Sequence, residues 1–172
     1  MESGIILAVT GHRHHKLGIK DLADHERLVA FAKSRLIGGD IKMVLTGMAT
    51  GWDLAVAQAA HELKIPFTAA IPYTGQELLF PGFYKKIYRH LISIAPKNTV
   101  VNVSGENYYS GAFLLERNSW LVKNCDILLA LLDPDVSETS GTFHTVKLAE
   151  HLGKQVCEVW HDYEVYNGII KE

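Results

Sequence analysis

The sequence has few cysteines, no excess of charge of one sign and no long apolar run. Two cysteines in 172 residues are too few for a disulfide framework. Cys125 and Cys157 each adjoin an apolar segment, so we expect both to be buried thiols. The formal net charge of −2 argues against nucleic acid as a partner. The sequence shows neither a membrane-spanning run nor the basic start of a signal peptide, which predicts a cytoplasmic protein without a membrane partner.

Two phosphate-binding motifs are also absent. No G-x-G-x-x-G follows the first apolar run, and no G-x-x-x-x-G-K-[ST] occurs anywhere. Classical dinucleotide binding for hydride transfer and P-loop phosphoryl transfer are therefore not supported. His12, His14 and His15 lie close together in sequence, but no acidic ligand is near them, and a metal site needs converging ligands. The sequence predicts no metal and no certain cofactor.

Short apolar runs alternate with helical patterns along the whole chain. Strand-like runs cover residues 5–9, 41–45, 67–71, 99–103, 127–132 and 156–160. Helical patterns cover residues 21–36, 54–63, 83–95, 109–124 and 142–152. This alternation predicts a single doubly wound α/β domain over residues 1–172, with a mostly parallel sheet of about six strands and helices on both faces. In such sheets ligands bind outside the carboxyl ends of the strands.

Three glycine-bearing turns follow predicted strands. The first is Thr10-Gly-His-Arg13, where Gly11 lets the backbone approach a ligand and His12 lies on the same loop. The guanidinium of Arg13 can bind a phosphate or carboxylate with two parallel hydrogen bonds. Taken alone, this turn fits an ordinary surface turn with an exposed arginine slightly better than a binding site.

The second turn is Leu45-Thr-Gly-Met-Ala-Thr-Gly-Trp-Asp53, which leads directly into a helix. Gly47, Met48 and Gly51 supply its backbone, and the helix start offers free N–H groups to an anion. Asp53 can cap the helix or accept hydrogen bonds from a ribose. A plain tight turn is the alternative.

The third turn runs from residue 137 to 145 and enters a helix at Gly141-Thr142. Ser140 precedes the helix, whose first amides and the hydroxyl of Thr142 suit an anion. His144 follows the turn and could reach the same ligand. An ordinary loop with a threonine cap is the alternative.

Further candidates lie on other elements. Arg117 and Asn118 occupy the helix before the most apolar run, although a solvated helix face also explains them. Pro72 ends the third predicted strand, where ligand contacts are expected. Glu77 and Glu116 are the acidic residues that we would test as a catalytic base.

With these turns in view, the chain resembles the SLOG superfamily of Rossmann-like nucleotide-binding proteins. The resemblance is to its YpsA-like branch and extends to the DprA and LOG proteins. The blocks that carry it are Val9-Thr-Gly-His-Arg13, Thr46-Gly-Met-Ala49 with Gly51-Trp-Asp53, Ile71-Pro72 with Gly75-Gln-Glu77, Arg117-Asn118-Ser-Trp-Leu-Val122, Asp126-Ile-Leu-Leu-Ala130 and Gly141-Thr142. The resemblance implies a small nucleotide ligand at the carboxyl edge of the sheet, with contacts from Gly11, Arg13, Gly47, Asp53, Arg117, Asn118, Gly141 and Thr142. It also implies a homodimer or larger homo-oligomer.

Two positions depart from the family pattern. LOG enzymes carry P-G-G-x-G-T-x-x-E, and Thr145 stands where that glutamate would be. Ser140 replaces a glycine of the YpsA-like turn. Loss of the carboxylate argues against N-glycosidic cleavage, which needs one to stabilise an oxocarbenium-like centre or activate water.

Three functional hypotheses follow. The first is a protein without catalytic activity that senses or sequesters a nucleotide or nucleotide-derived signal, for example in phage–host conflict. The second is a phosphoribohydrolase-like enzyme, in which Arg117 positions the phosphate and Glu77 or Glu116 supplies the carboxylate. The third is single-stranded DNA binding in the manner of DprA.

Overall fold

A computed structural model describes residues 4–136 and 138–171 of the chain. Two predictions fall partly outside these residues. Ser137 is the first residue of the third turn, and residues 1–3 belong to the start of the chain that was considered for a signal peptide. The strands are β1 Ile5–Gly11, β2 Ile41–Thr46, β3 Phe67–Ile71, β4 Val100–Asn102, β5 Ile127–Leu131 and β6 Gln155–Glu158. The α-helices are α1 Leu22–Leu36, α2 Trp52–Glu62, α3 Gly82–Ile94, α4 Gly111–Asn124, α5 Gly141–His151 and α6 Trp160–Tyr166. Short 3₁₀ helices cover Gln76–Leu79 and Lys97–Thr99.

The six strands form one sheet in the order β4-β3-β2-β1-β5-β6. Every neighbouring pair is parallel, and Gly11 at the end of β1 lies opposite Leu131 at the end of β5. The strand order reverses between β1 and β5, because the chain builds outward on one side of β1 and then on the other. The predicted doubly wound parallel sheet is confirmed.

Helices cover both faces of the sheet. Leu7 and Val9 of β1 pack into a cluster with α1, α2 and α3, whereas Ala8 packs into a second cluster with α4 and α5. This alternation is what a strand with period two gives when both of its faces are buried. Four alanines of α2 are fully buried, which lets this helix approach the sheet closely: Ala55, Ala57, Ala59 and Ala60.

The end of the chain differs from the prediction. The sixth strand stops at Glu158, and Trp160 begins helix α6 instead of ending a strand. Trp160 and Tyr163 lie three residues apart, on one helix face, and their ring centroids are 5.3 Å apart with the planes tilted by 38°. The helical spacing of these two aromatic residues indicates helix α6, but an interpretation based on apolar runs alone does not detect it.

The two cysteines also differ from each other. Cys125 is buried as expected, but Cys157 is exposed, so the prediction for Cys157 is wrong. Cys157 lies on β6, which is an edge strand with one neighbour. Across the described residues, the helices are too short or too polar to cross a membrane.

Candidate functional site

A cavity of about 600 Å³ lies at the carboxyl edge of the sheet, beside the ends of β1 and β5. This is the point at which the strand order reverses, where open α/β sheets bind ligands. Its walls come from the β1–α1 loop, the start of α2, the first half of α4 and the start of α5. The residues that line it are Thr10, Gly11, His12, Arg13, His15, Lys16, Ala49, Asp53, Gly111, Leu114, Leu115, Arg117, Asn118, Val136, Thr139, Ser140, Gly141 and Thr142.

His12 ties the first loop to the loop after β5. The imidazole Nε2 accepts a hydrogen bond of 2.9 Å from the backbone N–H of Asp133. A nitrogen that accepts must be unprotonated, so His12 is the neutral tautomer with its proton on Nδ1. Burial lowers the pKa of His12 from its usual value and maintains that state, although the Asp133 carboxylate acts in the opposite direction. His12 therefore fixes the loop that carries Arg13.

The same loop packs against the turn before α2. The backbone N–H of Trp52 donates to the His12 carbonyl at 3.3 Å, and His14 Nδ1 lies 2.7 Å from Thr50 Oγ1. Gly51 has a φ of +86°, and a Cβ there would lie 2.7 Å from the backbone nitrogen of His14. Only glycine meets both constraints at this contact.

Gly11 is required for packing. A Cβ at Gly11 would lie 2.6 Å from Cβ of Trp52, whose side chain is fully buried. The predicted reason for Gly11, close approach of a ligand, is therefore not needed to explain this glycine. Gly11 still lines the cavity through its backbone.

Asp53 and Arg117 place two buried charges in the cavity wall. Both are nearly inaccessible, with 6% and 4% of their surface exposed. Burial raises the pKa of Asp53 to about 6, against the opposing effect of the Arg117 charge, the Ala49 amide and Arg13. Burial likewise lowers the pKa of Arg117, and the Asp53 charge opposes this. Each charge therefore supports the ionised form of the other.

Hydrogen bonds hold both side chains in place. Arg117 Nη1 donates to the carbonyl oxygen of Gly47, and Arg117 Nε donates to Asn118 Oδ1 at 2.9 Å. The carboxylate of Asp53 accepts from the Ala49 N–H at 3.4 Å. Asp53 is the second residue of α2 and not its N-cap, which is Gly51. The capping interpretation of Asp53 is thus wrong.

The start of α5 offers amides to the cavity. Ser140 is the N-cap residue, and its hydroxyl accepts from the Phe143 N–H. The amides of Gly141 and Thr142 come first in the helix, where no carbonyl of the same helix can accept them. The expected threonine cap is thus a serine cap, and Gly141 and Thr142, which carry these amides, line the cavity.

The rim and one wall of the cavity differ in chemistry. Arg13, His15 and Lys16 are exposed on the β1–α1 loop and make one side basic. Leu114, Leu115 and Val136 contribute apolar surface. The cavity can therefore receive a ligand with an anionic end and an apolar end.

Nine of the predicted ligand contacts line this cavity: Gly11, His12, Arg13, Asp53, Arg117, Asn118, Ser140, Gly141 and Thr142. Three predicted contacts lie outside its described wall, in the turn between β2 and α2: Gly47, Met48 and Gly51. Met48 is fully buried with a φ of +59°. Pro72 follows β3, two strands away from the switch point. His144 is exposed on α5, outside the described wall.

Neither proposed catalytic glutamate lies in the described wall of the cavity. Glu77 accepts from Arg89 Nε at 3.4 Å, and Glu116 is exposed on α4. Thr145 is buried, and its hydroxyl donates to the Gly141 carbonyl of its own helix at 2.7 Å. The described wall contains the carboxylate of Asp53 instead.

Sequence reasoning missed the apolar wall. Gly111, Leu114 and Leu115 lie at helical spacing from the predicted Asn118, on the face of α4 that carries Arg117, and this periodicity could have revealed them. Gln76 was also missed as a support: it is buried, and its Nε2 donates to Gly47 O at 3.1 Å. In residues 4–136 and 138–171, no three His, Cys, Asp or Glu side chains are grouped as metal ligands.

This fold and site define a Rossmann-like α/β domain with a charged cavity at its topological switch point. Residues 7–161 match the sequence model of the YspA SLOG family, and the chain belongs to that family. No curated protein matches the sequence.

Two solved structures of DNA processing protein A (DprA) share the fold. The protein from Streptococcus pneumoniae is 16% identical, with a TM-score of 0.61 over 90% of this chain and 50% of its own length. The protein from Helicobacter pylori, whose structure concerns its single-stranded DNA binding mode, is 14% identical, with a TM-score of 0.62 over 97% of this chain and 80% of its own. The chain thus spans half the length of the first of these proteins.

Proposed function

We propose that the protein binds a nucleotide or a nucleotide-derived signalling molecule in this cavity, as a sensor or sequestering protein. The observation that carries the proposal is the pair Asp53 and Arg117, buried in a cavity wall at the switch point. Buried charges destabilise a fold unless they are well paired, so they concentrate at sites where they meet a ligand.

The surrounding surfaces support the same ligand class. Arg13 and Lys16 at the rim, with the amides of Gly141 and Thr142, suit a phosphate group. The apolar wall suits a base, and the volume of about 600 Å³ lies in the usual range of small-molecule sites.

Native mass spectrometry against a mixed nucleotide panel would identify the ligand, and thermal unfolding would locate its site. At about a hundredfold excess over its dissociation constant, the ligand should add roughly 2.7 kcal/mol of stability. Arg13→Ala should remove most of this gain, whereas Arg89→Ala, which changes an exposed arginine outside the cavity wall, should retain it. Equal stabilisation of the Arg13→Ala variant would place the ligand elsewhere.

Single-stranded DNA binding is the second candidate. It is supported by the fold shared with the DprA protein of Helicobacter pylori and by exposed aromatics before α4, since Tyr108 and Tyr109 are 56% and 60% exposed. Aromatic rings of this kind can stack on unpaired bases. A mobility-shift assay with an oligodeoxythymidine at low salt, repeated with Tyr109→Ala, tests it; an unshifted oligonucleotide would remove this candidate.

Membership of the SLOG family also leads us to propose a homodimer or larger homo-oligomer. Light scattering after size-exclusion chromatography measures this directly, and a monomer at micromolar concentration would contradict it.

A further inference from the structure

We propose that the sugar of the bound nucleotide lies against Asp53, and that the ligand is a linear ribonucleotide with free 2′- and 3′-hydroxyl groups. This inference rests on the proposed nucleotide site and narrows its ligand to one chemical class.

The carboxylate of Asp53 has few hydrogen-bond donors for a buried group. An ionised carboxylate can accept at about four positions. Among the described residues, its hydrogen bond is a long one of 3.4 Å from the Ala49 N–H. Arg117 is the positive charge that favours its ionised form most, but Arg117 Nε and Nη1 donate to Asn118 and Gly47. Because buried polar groups are normally satisfied, Asp53 leaves acceptor positions for donors that enter the cavity.

The ligand group that donates hydrogen bonds to Asp53 should be uncharged. A phosphate next to Asp53 would be repelled by the carboxylate, and it has better partners in Arg13, Lys16 and the first amides of α5. A base fits the apolar surface of Leu114 and Val136. The part of a nucleotide that remains is the sugar, and a vicinal diol offers two O–H donors to the two oxygens of one carboxylate.

This assignment separates ligand types that share the same phosphate and base. A deoxynucleotide has lost the 2′-hydroxyl, and within a DNA strand the 3′-oxygen is esterified as well. A 3′,5′-cyclic nucleotide keeps a single free hydroxyl. Asp53 therefore selects linear ribonucleotides over both, and against DNA in particular, because a site built to accept a hydroxyl discriminates strongly against analogues without it.

Isothermal titration calorimetry on the wild-type chain tests the proposal without relying on a variant. The probes are the four ribonucleoside 5′-monophosphates and 5′-triphosphates, with their 2′-deoxy and 2′,3′-dideoxy counterparts. For the base that binds, the dideoxy form should bind at least tenfold more weakly than the ribo form, and the deoxy form should lie between them. Equal affinities across one such series would overturn the proposal and leave nucleotide binding intact.

Two variants assign the effect to Asp53. Asp53→Asn should bring the ribo and dideoxy affinities within about threefold of each other, because the amide is a weaker acceptor than a carboxylate. Arg13→Ala should weaken every member of the series and leave their ratio unchanged. A ratio that survives in Asp53→Asn would overturn the role of Asp53. No binding by any of these ribonucleotides would overturn this inference and would leave only nucleotide-derived molecules for the proposed function.

Discussion

The guanidinium group of Arg117 occupies the space that a side chain at Gly47 would need. Its Nη1 donates to the Gly47 carbonyl, and a Cβ at Gly47 would lie 2.6 Å from Arg117 Cζ. This contact joins α4 to the turn between β2 and α2, 70 residues apart in sequence. Gly47 thus serves the cavity by admitting Arg117, without itself lining the described wall.

Gly47→Ala should therefore displace Arg117. Because the backbone of Gly47 is not left-handed, the cost is steric, and we expect a loss of roughly 1–3 kcal/mol in the free energy of unfolding. Nucleotide binding should weaken in parallel, since Arg117 moves out of the wall. Urea unfolding and calorimetry measure the two effects.

The matched control is Gly82→Ala. Gly82 is the first residue of α3, and a Cβ there would meet nothing within 4 Å. This variant should leave stability within about 0.5 kcal/mol of the wild type or raise it slightly. If Gly47→Ala were as mild as the control, Arg117 would not be fixed by this contact.

Arg117→Ala should cost roughly 3 kcal/mol, because it removes the more strongly acting of the two positive charges that support the buried carboxylate of Asp53. The cost should grow as the pH rises. The pKa of Asp53 is already raised to about 6 in the folded state, against an ordinary value of 3.8, and loss of Arg117 raises it further. In the folded variant Asp53 keeps its proton to a higher pH than in the unfolded chain, so the stability of the variant falls progressively as the pH rises from about 4 to above 6.

Chemical denaturation of the wild type and of Arg117→Ala at pH 5 and pH 7.5 measures this difference. Arg89→Ala is the control, since Arg89 is exposed and its variant should change stability by less than about 0.5 kcal/mol at both pH values. A pH-independent difference between wild type and Arg117→Ala would mean that Asp53 does not depend on Arg117.

The fold could be predicted further than the site. Continuous apolar runs bounded by turns indicated buried parallel strands, and all six strands exist. The end of β6 and the helix at Trp160 could not be placed, because a short apolar run is ambiguous between strand and helix. The glycine turns were placed correctly at the carboxyl edge. Why these turns require glycine was not predictable. A side chain at Gly11 would collide with Trp52 and one at Gly47 with Arg117, and these contacts join residues far apart in sequence.

Acidification should loosen the loop that carries the basic rim. Since the His12 pKa is lowered in the folded state, its stabilising effect is complete above the unfolded value of 6.5 and is lost as the pH falls below it. His14 and His25 shift in the same direction, whereas Asp53 shifts in the opposite one. A comparison with His12→Gln isolates the one histidine, because the other groups titrate in both proteins.

Glutamine reaches about as far as Nε2 and can accept from the Asp133 N–H without titrating. The free energy of unfolding of His12→Gln should therefore fall less between pH 7.5 and pH 5.5 than that of the wild type. Identical pH slopes in the two proteins would show that the pKa of His12 is the same in the folded and unfolded states.

Incubation with nucleoside monophosphates should release no free base. Glu77 bonds to Arg89, Glu116 is exposed, and Thr145 is buried with its hydroxyl on the Gly141 carbonyl, so none of the three places a carboxylate in the described wall. Asp53 lies in the wall, but the role that we propose for it is to accept hydrogen bonds from the hydroxyl groups of a bound sugar. Chromatography of long incubations measures the free base directly. Base release that Asp53→Asn abolishes and Glu77→Gln retains would instead make the protein an N-glycosidase with Asp53 as its carboxylate.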